Sequence, residues 1–523
     1  MKRQLPIGIQ DFDRIRENGY CYVDKTKIIH QLITGSSSIY FLSRPRRFGK
    51  SLLCSTLCTI FEGKRELFKE IAGYPALAIN SLDWEWKKHP VIRIDMNIGN
   101  FKEGTDFLNS ALNNTLNNIA RSFNLELRGN YSSEFFSNLI IDLNNKYKEK
   151  AVVIIDEYDK PLLDTMLDVS LHKNIRDELK GFYSILKPFG KYLRFVFLTG
   201  ITKFSHVSLF SDLNNLDDLT LDPLYADICG ITQEELEANF EPEIQSILND
   251  TSMERDDYLN ELRRFYNGYR FSKNPLKVYN PFGLLKHFKN GDFSSYWYET
   301  GTPSFLVNLL KEQKINILNL NNLQIDNNDL HKYDIENMRA EPILYQAGYL
   351  TIKDYNKETN QFTLDYPNIE VESCFAKSLL DEYLLTSNET AGSFNTRLIN
   401  AVVKGSIDDT INTLKQFLSS IPYDIIKDTE NYFQTAIHLV FTMLGLNCRS
   451  EVRIAAGRID TLVETKNYVY CFEFKLNGTA EDALAQINTK EYLLPWEGNT
   501  KKIFKIGVDF DYEKRNIGEW KTE

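Results

Sequence analysis

Gly49-Lys50-Ser51 stands between an apolar β-like run and a helical stretch, where a chain can wrap backbone N–H groups around phosphates at a helix N-terminus. Lys50 would reach the β and γ phosphates of a nucleotide, and the Ser51 hydroxyl would sit on Mg2+. The whole loop reads Arg44-Pro45-Arg46-Arg47-Phe48-Gly49-Lys50-Ser51, so Arg46, Arg47 and Phe48 join the expected phosphate-binding segment. Arg44 takes the place where the usual loop has its first glycine. About a hundred residues later, Val152-Val153-Ile154-Ile155 forms a buried-strand pattern that ends in Asp156 and Glu157. Such a strand end offers Asp156 to the magnesium shell and Glu157 as the base that polarises an attacking water. Thr199, which ends the run Phe195-Val196-Phe197-Leu198, stands where a γ-phosphate sensor would stand.

A second constellation lies near the C-terminus. Asp460 falls early in one strand-like run, Glu473 and Lys475 close the next, and Lys466-Asn467 between them reads as a tight hairpin. Strand residues two apart share a face, so Glu473 and Lys475 point the same way and the hairpin can bring Asp460 beside them. Two carboxylates bind a hard cation such as Mg2+ or Mn2+, while a lysine orients or deprotonates water and steadies charge on a phosphorane. A solvated hairpin face with cross-strand ion pairs would also give alternating charges. Glu473 and Lys475, however, follow the apolar, aromatic run Tyr468-Val469-Tyr470-Cys471-Phe472, which reads as core.

Several elements must position these groups. The first third alternates β-like runs (Ile39–Leu42, Val91–Ile94, Val152–Ile155, Phe195–Leu198) with helical stretches, the pattern of a parallel sheet covered by helices. Helical patterns dominate from about 230 to 420, and the polar, asparagine-rich stretch Asn319 to Asp329 reads as the best internal linker. In the tail, Phe433, Ala436, Ile437, Val440, Phe441 and Leu444 recur at helical spacing. The hairpin, a helix around Ala480 to Lys490 and a strand near Ile503 to Val508 follow, and a fragment from about Ser420 to Glu523 is expected to fold alone.

With 523 residues the chain exceeds one ordinary core, so two or three domains are expected. Its 42% hydrophobic and 25% charged residues exclude disorder as the dominant state. No stretch reaches the roughly 20 apolar residues of a membrane helix, so a cytoplasmic protein without membrane contact is expected. Seven scattered cysteines read as reduced core residues, and Cys54 with Cys58 lacks the second pair a zinc site needs. A net charge of -11 means that any contact with nucleic acid must come from a local basic patch.

Beyond these two constellations the chain carries Leu5-Pro6-Ile7-Gly8, Tyr22-Val23-Asp24-Lys25-Thr26, Asp156-Glu157-Tyr158-Asp159, Leu198-Thr199-Gly200-Ile201, Tyr266-Asn267-Gly268-Tyr269 and Tyr345-Gln346-Ala347-Gly348-Tyr349-Leu350. With these marks it resembles, over nearly its whole length, the AAA-ATPase-like proteins, many of them from gut Bacteroidetes and their relatives, that end in a PD-(D/E)XK nuclease domain. In that family the Arg-Pro-Arg-Arg-Phe form of the loop is usual. The resemblance implies ATP with Mg2+ at the first site and Mg2+ or Mn2+ at the second. It also implies a nucleic-acid substrate, DNA ahead of RNA, and leaves a homo-oligomer open. Glu430, at the start of the tail helix, matches an additional metal-binding acid, and Gln486 matches a glutamine found beside the site in resolvase-like members. Asp24-Lys25-Thr26 is read as a helix start ahead of a contact to the nucleotide base.

The expected fold class is α/β. A P-loop AAA-like parallel sheet with helices spans 1–230, a mostly helical region spans 231–420, and a small restriction-endonuclease-like domain spans 421–523. In this reading Lys50, Ser51, Asp156 and Glu157 serve ATP, and Asp460, Glu473 and Lys475 serve phosphodiester cleavage. The rival reading is a nucleotide-switched signalling or scaffold protein whose tail only binds nucleic acid.

Overall fold

Short runs of β-branched and aromatic residues build the first sheet. In the computed structural model, β1 (Ile39–Ser43), β2 (Val91–Asp95), β3 (Ala151–Asp156), β4 (Leu193–Gly200) and β5 (Leu216–Asp218) lie in the order β2-β3-β4-β1-β5, with every neighbouring pair parallel. The structure describes residues 4–523 except 72, 204–208, 211–212, 299–303, 314, 332–338, 385–390, 422–429, 455–456, 477, 497, 499 and 512. Strands β1 and β3 are buried along their whole length, as a parallel sheet packed by helices requires. The registers Ser43↔Gly200 and Asp95↔Asp156 align the C-terminal ends of four strands on one edge, where loop chemistry collects in such sheets. β5 has no sequence signal: Leu216-Asp217-Asp218 is short and charged, as an edge strand can be.

Beyond this sheet, the helix Gln233–Thr251 starts on a capping box in which Thr232 and Glu235 exchange hydrogen bonds. It packs with Arg255–Tyr266 and Pro281–Asn290 through Leu236, Phe240, Ile244, Tyr258 and Leu284. The middle region also holds a three-stranded sheet, β6 (Leu323–Asp326), β7 (Thr351–Asn356) and β8 (Gln361–Asp365), in the order β6-β8-β7. β6 runs through the polar stretch expected to be a linker. Its Ile325 is buried while Gln324 faces solvent and donates to Thr363, an alternation that the surrounding asparagines hide in sequence.

The second sheet contains β9 (Asn447–Ile454), β10 (Gly457–Glu464), β11 (Tyr468–Leu476), β12 (Lys502–Asp511) and β13 (Asn516–Thr522), in the order β13-β12-β11-β10-β9. Only β11 and β12 pair in parallel, and the helix Ala480–Thr489 connects and packs against them. It approaches so closely that a Cβ on Gly507 would stand 2.3 Å from the Ala480 carbonyl oxygen. On the other face, the helix Glu430–Met443 stacks Phe433 on Phe510 and sets Phe441 against Phe472.

The chain divides into two compact units, Met1–Trp297 with Gln324–Thr363, and Tyr298–Leu323 with Leu364–Glu523. The second unit therefore takes in more than the tail. Helix Ile369–Leu384 packs on Glu430–Met443, burying Val371, Phe375 and Leu379. The Tyr470 hydroxyl donates to the Val402 carbonyl at 2.5 Å, and Lys415 donates to Gly518 at 2.8 Å. No helix among the described residues is long and apolar enough to cross a membrane.

Each large apolar side chain fully buried stabilises by about 1.5–3 kcal/mol. A Ser420–Glu523 fragment is therefore expected to unfold at lower urea than Leu364–Glu523, with a stability deficit of at least about 3 kcal/mol. Equal midpoints would show that the helix Ile369–Leu384 is dispensable for the tail.

Candidate active sites

At the end of β1 the chain turns through the loop into helix Lys50–Phe61, with Gly49 at the N-cap in a left-handed conformation (φ 90°) that favours glycine. Arg47 also has a positive φ, 66°. Arg44 stands where the usual loop has its first glycine. Its side chain leaves the loop for the core, donating to the carbonyls of Ser43, Thr220 and Tyr225 at 2.8–3.0 Å, with the guanidinium 4.4 Å from the Phe271 ring centre. Phe48 is buried edge-on to Tyr269 and Phe271 and also borders the apolar pocket beside Gly49. Arg46 and Arg47 are exposed at the loop tip. The Arg46 carbonyl accepts from Trp297, and the Arg47 guanidinium lies 4.6 Å from the Phe282 ring centre.

The Lys50 ammonium is buried and donates to the carbonyls of Arg44 and Pro45 at 3.0 and 3.1 Å. Burial pushes its pKa down, opposed by Asp156, Asp159 and Glu157. Asp156 is fully buried, and burial pushes its pKa up against the pull of Ser51 and Lys50. One of its oxygens accepts from the Glu157 N–H, and Oδ2 has no hydrogen-bond partner of good geometry. Glu157, at φ 50°, is held in left-handed backbone, and burial and then Asp156 raise its pKa. Thr199 donates to the Leu42 carbonyl at 2.7 Å, so its proton is committed to tying β4 to β1.

In the second unit the hairpin does gather its charged groups. Asp460 Oδ2 accepts from the Phe474 N–H at 2.9 Å, the Lys475 ammonium is 3.3 Å from Glu473 Oε1, and the Gln486 amide donates to the same oxygen. Glu430 accepts from the Leu476 N–H at 3.1 Å, at the end of β11. Burial pushes Asp460 up to about 6 against the Phe474 N–H, with Glu430 adding to the rise. Burial and then Asp460 push Glu473 up to about 8. Glu473 is 1% exposed, the Asp460 N–H and Lys475 oppose the rise, and its Oε2 has no hydrogen-bond partner of good geometry.

A buried carboxylate oxygen without a donor is costly, and a hard cation relieves it. Asp156 Oδ2 and Glu473 Oε2 therefore fit a divalent metal at each site. Among the described residues no three His, Cys, Asp or Glu side chains gather to hold an ion alone. Backbone, water and phosphate oxygens complete such a magnesium shell.

Residues 6–210 match the family described as predicted AAA-ATPase, and residues 428–520 match the PD-(D/E)XK nuclease superfamily. A protein of Azotobacter chroococcum mcd 1, described as an uncharacterized protein in the vnfD 5' region, is 35% identical over 528 residues, spanning 99% of this chain and 98% of its own length. The chain belongs to the AAA-ATPase-like family with a C-terminal PD-(D/E)XK nuclease domain.

Other residues at these two sites escape sequence reading. In the AAA-ATPase-like part, Asp159 is buried and accepts from the Ile201 and Thr202 N–H groups, which fixes the chain after β4. Its signal was the acid pattern Asp156-Glu157-Tyr158-Asp159. Asp95 sits in register beside Asp156 and raises its pKa. In the PD-(D/E)XK part, Gln434 donates to Glu451 and to the Asp460 carbonyl, and Gln486 also donates to the Tyr492 hydroxyl. A glutamine or tyrosine far along the chain gives no such warning. Asp24-Lys25-Thr26 does start a helix: Asp24 accepts from the Thr26 N–H at 2.8 Å, while Lys25 pairs with Glu235.

The raised Glu473 pKa has a sign. The folded chain holds that proton where the unfolded chain has lost it, so stability falls as pH rises from the ordinary glutamate range toward about 8. Without metal, urea stability is expected to fall between pH 6 and 8 by on the order of 1–2 kcal/mol more than in Glu473→Gln. Matching pH profiles would mean that Glu473 titrates normally.

Proposed function

We propose that this protein binds and hydrolyses ATP with its N-terminal part, 1–230, and cleaves nucleic acid with its C-terminal part, 421–523, the segment 231–420 lying between them in sequence. The observation that carries the reading is the pair of buried carboxylates, Asp460 and Glu473, kept beside Lys475 with one oxygen unpartnered. Such groups weaken a fold and are kept for chemistry.

At the first site the backbone of Arg46, Arg47, Phe48 and Gly49 with the N-terminus of helix Lys50–Phe61 cradles phosphates, and Lys50 exchanges its two carbonyl partners for phosphate oxygens. Ser51 and Asp156 hold Mg2+, and Glu157 takes the proton of the attacking water. Thr199 stays in reach of this edge as an acceptor. The largely apolar pocket beside Gly49, lined by Tyr22, Val23, Leu52, Cys229 and Ile231, takes the base. At the second site Asp460 and Glu473, supported by Glu430, hold Mg2+ or Mn2+, which when bound supplies positive charge to the scissile phosphate. Lys475 orients the attacking water, and Gln486 fixes the Glu473 carboxylate. DNA is the favoured substrate.

Lys50→Ala is expected to lose ATP binding, whereas Glu157→Gln keeps binding and slows turnover by about 10²-fold or more. Unimpaired hydrolysis in both variants would remove this site from the reaction. Asp460→Asn and Lys475→Ala are each expected to abolish Mg2+- or Mn2+-dependent cleavage of plasmid DNA without lowering the unfolding midpoint. Cleavage at the normal rate by Asp460→Asn would leave the tail as a binding domain of a nucleotide-switched scaffold.

A further inference from the structure

A chain of net charge -11 can meet nucleic acid only through a local positive surface, and the second sheet contains one beside the carboxylates. β9 and β10 are antiparallel, and their register sets Arg453 directly opposite Arg458. Both side chains are exposed. Like charges directly opposite in an antiparallel pair destabilise it. Arg453 has no ion-pair partner among the described residues, and Arg458 pairs with Glu451. A polyanion bound there would turn the repulsion into attraction.

The position of the pair is specific. Arg458 lies two residues before Asp460 on β10, a spacing of about 7 Å along the strand. The strand end is also fixed to the site. A Cβ on Gly457 would stand 3.3 Å from the Tyr492 ring, and the Tyr492 hydroxyl accepts from the Gln486 amide, which also donates to Glu473. Glu451, the anion on Arg458, has a left-handed backbone (φ 57°) and is held from behind by Gln434. Strain of this kind at a non-glycine residue persists where surroundings impose it, and it collects at ligand clamps.

We propose that Arg453 and Arg458 clamp a backbone phosphate of the nucleic-acid strand, one step from the phosphodiester presented to Asp460 and Glu473. The inference rests on the nuclease reading of that site. The two guanidiniums take the phosphate from opposite sides of the ladder, and Glu451 gives up Arg458 to it. The contact is to the sugar–phosphate backbone, so it positions the strand without reading sequence.

The test is fluorescence anisotropy of the full chain on a labelled DNA duplex over a salt series, in an Asp460→Asn background so that the strand survives. Adding Arg453→Gln and Arg458→Gln together is expected to weaken binding roughly tenfold or more. The slope of log K against log salt should become shallower by about 1 to 2. The unfolding midpoint should hold or rise, because a repulsive pair is gone. Should the double variant fail to fold, Arg453→Gln alone, which breaks no ion pair of the protein, is expected to lower the slope by about 1. Unchanged affinity and slope, with the parent binding normally, would overturn the clamp and leave the nuclease site standing. A parent that binds neither DNA nor RNA at low salt would overturn both.

Discussion

Burying a carboxylate without giving both oxygens a donor is the constraint on which both sites depend. Water would solvate such a group better than the protein does, so each one draws on the stability supplied by the surrounding sheet. The protein meets this cost at two sheet regions built for it. Asp156 ends a strand whose six residues are all buried. Glu473 follows Tyr470 and Phe472 in a strand flanked by helices on both faces. Neither acid could be held in place by a loop. The strand fixes the backbone, and the backbone aims the unpartnered oxygen.

The two sites reach this state by different routes. At the first, Lys50 and Ser51 lie close to Asp156 and offset part of its burial, which leaves the ammonium on backbone carbonyls that phosphate oxygens can replace. At the second, Lys475 and Gln486 share one oxygen of Glu473, the Asp460 N–H also favours its charge, and the Asp460 carboxylate adds repulsion. Burial holds protons on Asp460 and Glu473 toward neutral pH, and a bound cation would displace them.

Much of this was legible in the sequence. Apolar runs marked β1 to β4, unbroken at Val152–Ile155 and Phe195–Leu198, as strands buried on both faces require. The hairpin of β10 and β11 and the meeting of Asp460, Glu473 and Lys475 followed from strand alternation. What stayed hidden depends on packing partners distant in the chain. β5 and β9 carry charges because they are edge strands, and β6 is masked by asparagines. Arg44 stands in the place of a glycine, and its use as a buried crosslink to Thr220 and Tyr225 is visible only in three dimensions. Phe48 sits inside the phosphate-loop sequence, and its packing on Tyr269 and Phe271 is likewise visible only in three dimensions.

The central claim is that Asp460 and Glu473 are kept buried to hold a divalent cation. Calorimetric titration of Mn2+ into the full chain without nucleotide, at pH values on either side of 7, tests it most directly. Binding should be tighter at the higher pH and should release protons to the buffer, because the metal displaces the proton that burial holds on Glu473. Asp460→Asn should remove that binding and its proton release. Mn2+ binding that is independent of pH and unchanged in Asp460→Asn would contradict the account.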